Sequence, residues 1–121
     1  MEAVTDVAKM LERLHQLLEQ VDEIDRLATQ IIDAGQTQQL DVLLRAKRAL
    51  CEKIFETASG IGASADLETV EQVMADLRRM QESHERLVHR IATARQQAAG
   101  LLAEAQKHQA AVDAYVGRRA A

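Results

Sequence analysis

Proline and tryptophan are absent from this 121-residue chain, and phenylalanine and tyrosine occur once each. Aromatics make up 2% of the residues, which excludes a β-sandwich or barrel core, because strands draw on aromatic and β-branched side chains. Zero proline with abundant alanine, leucine, glutamate, glutamine and arginine points to long helices. The single cysteine, Cys51, closes no internal disulfide, as expected of a protein in a reducing compartment such as the cytoplasm. No apolar run approaches the roughly 18 residues that a membrane span needs. The first residues, Met1 to Asp6, are acidic and lack the apolar stretch of a signal peptide, so none is expected. Excess positive charge is also missing. The net charge is −4, with 11 acids and 7 bases in residues 1–60 and 8 of each in 61–121. A nucleic-acid partner is therefore not expected.

What the chain does contain is helix-forming residues in heptads. The hydrophobic fraction of 47% suffices for a folded core. Val7, Leu14, Val21 and Ala28 recur at a, and Met10, Leu17, Ile24 and Ile31 at d, with Val4, Leu11, Leu18 and Ile32 in a neighbouring e stripe. This face predicts a first helix over about 4–33, stopped at Ala34-Gly35. A second helix is predicted over about 37–59, with Thr37 as N-cap and a stripe of Leu40, Leu43, Lys47, Leu50 and Ile54. The run from Gly60 to Ala65 reads as the one true loop. Ser64 or Asp66 then caps a third helix over about 66–116, whose stripe runs from Val70, Val73, Leu77, Met80, His84, Leu87 and Ile91 to Val112 and Tyr115.

At 1.5 Å per residue the three helices measure roughly 45, 33 and 75 Å. Short connections make neighbours antiparallel. The expected fold is all-α: one helical-bundle domain over 1–121, up-down-up, with a C-terminal helix that overhangs. From Ala94 onward the stripe is mostly alanine, which buries roughly 2 kcal/mol less per site than leucine. Such a face, without a partner in its own chain, docks on another helix.

Chemistry at the ionisable residues is weaker. Glu12-x-x-His15 has di-iron helix spacing, but the second copy and the further carboxylates are missing, so no metal, cofactor or catalytic residue is assigned and no enzyme is expected. His84 and His108 sit on the seam, where polar residues set register or meet a wet edge. Cys51 reads as an ordinary small apolar residue beside the stripe. Lys47 stands among leucines. It either snorkels to the bundle edge or meets an acid of the first helix, where Asp25 interrupts the e stripe. Phe55 lies off the stripe and is expected to fold against Ile61, with an exposed contact patch as the alternative.

Gly35-Gln36-Thr37-Gln38-Gln39-Leu40, Leu43-Leu44, Lys47-Arg48-Ala49-Leu50 and Ile54 resemble the middle of the FlgN-type flagellar export chaperones. The long first helix with Leu11, Leu14, Leu17 and Leu18, the long last helix, and the closing Tyr115-Val116-Gly117 fit the same layout. The last helix here is richer in alanine than the family pattern, and the chain has no asparagine. The resemblance implies a cytoplasmic chaperone that binds C-terminal helical segments of hook–filament junction proteins, keeps them unassembled and delivers them to the flagellar type III export apparatus. The implied partner-binding residues are Ala94, Ala98, Leu101, Leu102, Ala105, Val112 and Tyr115. The alternative is a homo-oligomeric coiled-coil structural or scaffold protein, in which two such faces bury each other in a homodimer.

Overall fold

A computed structural model describes residues 2–120, with side chains described over 6–119; Val4 of the e stripe lies outside the described side chains. The described residues form α1 (Glu2–Asp33), a 3₁₀ turn (Thr37–Gln39), α2 (Leu40–Ser64) and α3 (Leu67–Ala120), and no strand occurs among them. The chain divides into two compact units, Met1–Val88 and His89–Ala121.

In the first unit the core is Leu14, Leu17, Val21, Ile54, Ile61 and Val73, with Met10, Leu50, Leu77 and Met80 among the half-buried residues against it. The backbones of α1 and α2 approach to within 8 Å between Cα atoms, an approach that α3 makes to neither among the described residues. α3 joins them through its side chains. Burial along α1 moves sideways as the helix proceeds. Leu14, Leu17 and Val21 are buried in strict a/d register. Further on, Asp25 and Ile32 at e are buried while Ile24 and Ile31 at d are only half-buried. An α-helix turns 3.6 residues per turn, so a seven-residue repeat drifts by about 20° per heptad and the buried face passes from d to e. That drift carries Asp25 into the interior.

On α2 the buried positions are Leu40, Lys47, Ile54 and Ile61, a seven-residue series with one charged member. The second helix runs past its predicted end at Ser59: Gly60-Ile61-Gly62-Ala63 is helical, which corrects the loop expected there. Glycine costs a helix about 1 kcal/mol relative to alanine, but burying Ile61 completely returns about 1.5–3 kcal/mol, and the series continues. Gly60 also admits α1. A Cβ there would lie 3.1 Å from the Met10 sulfur.

The turns follow from their residues. Gly35 has φ +72°. The Gln36 N–H donates to the Ile31 carbonyl (3.0 Å) and the Gly35 N–H to the Ile32 carbonyl (3.1 Å), the paired bonds of a Schellman end. Thr37 is not the side-chain cap predicted for it. It opens the 3₁₀ turn, and neither that turn nor α2 has a side-chain cap bond. α2 ends through an extended Ala65. Asp66 is the cap of α3, accepting from the Thr69 N–H at 2.8 Å while its carbonyl accepts from Val70 at 3.0 Å. Hydrogen bonding from Thr69, from its side chain first and then from its backbone N–H, holds the Asp66 carboxyl below its usual range. No described helix is long and apolar enough to cross a membrane.

Candidate functional site

α3 extends four residues beyond its predicted end at Val116. In the second unit, Ile91 and Ala94 are half-buried and each described residue from Arg95 to Arg119 is exposed. The large apolar residues among them are Leu101, Leu102, Val112, Tyr115 and Val116. Successive steps of three or four residues place Ala94, Ala98, Leu101, Ala105, His108, Val112 and Tyr115 along one side of the helix, with Leu102 beside Leu101. Leu101 is 73% exposed and Val112 40%. The polar residues of this segment make local bonds. Gln109 donates to Asp113 at 2.9 Å, and the Arg119 guanidinium lies 5.4 Å from the centre of the Tyr115 ring. At an exposed site that cation–π contact contributes about 0.5–1 kcal/mol. No acid, base or nucleophile converges with another on this segment. Its chemistry is that of a surface.

The first unit holds a polar cluster. Lys47 is 3% exposed, and its ammonium donates to Asp25 Oδ1 at 2.6 Å. Asp25 is the acid of the first helix that the sequence offered as one of two fates for Lys47. The same ammonium lies 2.8 Å from His84 Nδ1. Lysine has only donors, so that ring nitrogen accepts and carries no proton. The other Asp25 oxygen accepts from the Ser83 hydroxyl at 3.1 Å. Three helices thus meet in one network, and every buried side-chain polar atom among the described residues has a partner. The seven-residue series on α2 brings Lys47 in, the drift on α1 brings Asp25, and α3 supplies His84 from its stripe and Ser83 from beside it. Ser83 gave no signal in the sequence, since a serine beside a heptad stripe is unremarkable there.

Cys51 lies one turn from Lys47, half-buried, and burial pushes its thiol up, partly opposed by the Lys47 charge. A raised thiol is a poor nucleophile at neutral pH. His15 stands 3.8 Å from Asp76, which also pairs with Arg79. No group of three metal-ligating side chains occurs among the described residues. Phe55 is 54% exposed, nearer the contact-patch alternative than a side chain folded away.

Comparison with known protein families, curated proteins and solved structures finds no match for this chain.

Proposed function

We propose that this protein is a helix-docking chaperone or adaptor whose partner lies along the apolar side of residues 94–115. The observation that carries the reading is the exposure of Leu101, Leu102, Val112 and Tyr115 on one continuous helix. Burying such a side chain contributes about 1.5–3 kcal/mol, so four of them supply the driving force for a helix-on-helix contact. The alanines between them let a partner backbone approach closely.

The resemblance to the FlgN-type chaperones supports a specific form of this reading. The partner is then a C-terminal helical segment of a hook–filament junction protein, held unassembled in the cytoplasm before flagellar type III export. Titration of the full chain with such segments, followed by calorimetry, tests it. Saturable binding that Leu101→Asp with Val112→Asp abolishes is the expected result. Full binding by the double variant, or by a chain ending at Thr93, places the site elsewhere.

The alternative occupant is a second copy, which the unbroken heptad of α3 favours. It requires a mass that rises with concentration in sedimentation and returns to the monomer in the same double variant.

A further inference from the structure

The exposed side of α3 carries charges as well as apolar residues. In heptad terms Ala98, Ala105 and Val112 stand at a, and Leu101, His108 and Tyr115 at d. Leu102, Gln109 and Val116 flank this stripe at e, and Glu104, Ala111 and Arg118 flank it at g. Leu102 and Val116 are 61% and 58% exposed. Glu104 and Arg118 are exposed too, and neither forms an ion pair with another described residue. Charges at e and g decide which helix pairs with which, and in what direction.

Two copies of this segment complement each other in one arrangement. Laid antiparallel with Ala111 opposite the second copy's Ala111, Glu104 meets the second copy's Arg118. Two-fold symmetry repeats that pair in the opposite sense. On the other flank Leu102 meets Val116, and no like charges face each other at e or g. Along the seam Tyr115 lies over Ala105, a large side chain against a small one. Leu101 meets the aliphatic stem of Arg119, whose guanidinium covers its own Tyr115. A parallel pair instead sets Glu104 against Gln109 and Tyr115 against Tyr115. An antiparallel pair slid by one heptad sets Glu104 against Ala111 or past Arg119. Both lose the ion pair. From Leu101 to Arg119 the contact runs roughly 27 Å. A single helix pair of that length sits at the small, transient end of interface sizes, so the dimer dissociates readily.

Given the docking face at residues 94–115 proposed above, on which this rests, we propose that a second copy of the chain covers it when no other partner is bound. The two copies lie antiparallel, with Glu104 against the second copy's Arg118. A partner helix and the second copy use the same residues, so each excludes the other.

Sedimentation of the full-length protein from about 10 µM to about 1 mM tests it. The mass of the parent is expected to rise toward that of a dimer. Glu104→Arg and Arg118→Glu each turn both attractions of the symmetric pair into repulsions, and each weakens association by at least about tenfold. Mixing the two variants restores the parent's association, because every facing pair is again of opposite sign. A variant that has merely misfolded is not rescued by mixing. Leu101→Asp with Val112→Asp abolishes association. Met74→Lys, in the apolar groove that Phe55, Met74 and Leu77 line between α2 and α3, leaves it unchanged. The antiparallel dimer is overturned by a parent that stays monomeric throughout, by single charge variants that associate like the parent, or by a mixture no stronger than its components. It is also overturned if association survives Leu101→Asp with Val112→Asp, or if Met74→Lys alone dissolves the dimer. None of these results touches the docking reading, which fails separately if a helical segment binds Leu101→Asp with Val112→Asp as fully as the parent.

Discussion

Breaking the Asp25–Lys47 pair one residue at a time, and then removing it whole, separates two energies that the structure combines. The Lys47 and Asp25 side chains are 4% and 11% exposed, and their charged atoms lie 2.6 Å apart. Removing one partner of a buried ion pair costs about 3–5 kcal/mol, because the survivor is left as an uncompensated charge. Here each survivor retains a secondary contact. Lys47 keeps His84 Nδ1 at 2.8 Å, and Asp25 keeps the Ser83 hydroxyl at 3.1 Å. The expected loss for Asp25→Leu or Lys47→Met therefore lies toward the lower end, about 3 kcal/mol. The double variant exchanges the pair for apolar side chains on a face already lined by Val21, Ile54 and Ile61. Such exchanges are neutral or stabilising by about 1–4 kcal/mol. The double variant should then equal or exceed the parent, with a coupling energy of several kcal/mol against additivity. Urea unfolding followed by helical circular dichroism measures all four proteins, and unchanged slopes with shifted midpoints certify that stability alone has moved. A loss below about 1 kcal/mol in both single variants, or a double variant as unstable as the sum of the two, refutes a desolvated pair at this position.

Three further outcomes follow from the same geometry. Ile61→Ala should cost about 2–5 kcal/mol in urea unfolding, as for any fully buried core residue; a near-zero cost would restore the loop that the flanking glycines suggest. Asp66→Ala should destabilise the protein at neutral pH. The native carboxyl titrates below its unfolded value of about 3.9, so its contribution is complete above that value and disappears as pH falls through the lower native one. The gap between parent and variant must therefore close in strong acid, and a constant gap at all pH values would rule out the charged cap. Cys51 should react with iodoacetamide more slowly than free cysteine at pH 8, and its rate should still be rising where free cysteine has levelled off. Equal pH profiles would contradict the raised thiol.

The sequence displayed the heptads plainly, and with them the helical class and most of the core, because a buried helix face must repeat every three or four residues. Lys47 stands out as a charge in an apolar series, and Asp25 as a break in another stripe, so their pairing is one of two readings the heptads support. Two features were concealed for physical reasons. Gly60 and Gly62 signal a loop locally, and only the burial of Ile61, a tertiary effect, keeps the helix intact through them. The groove depends on which sides of α2 and α3 remain uncovered, and periodicity gives a face without naming its neighbour. His84 shows the same limit. Its place on the seam was evident, but its bond to Lys47 required the relative heights of two helices.

The exposed side of α3 carries the functional account, and backbone hydrogen exchange tests it most directly. In the isolated protein at dilute concentration, amides of residues 95–119 should exchange far faster than those around Leu14, Val21 and Ile54, because local helix opening there exposes no buried core. Adding a saturating helical partner should slow them while leaving the core amides unchanged. Equal protection of residues 95–119 and the core in the dilute, partner-free monomer would contradict it, since the segment would then already be covered by its own chain.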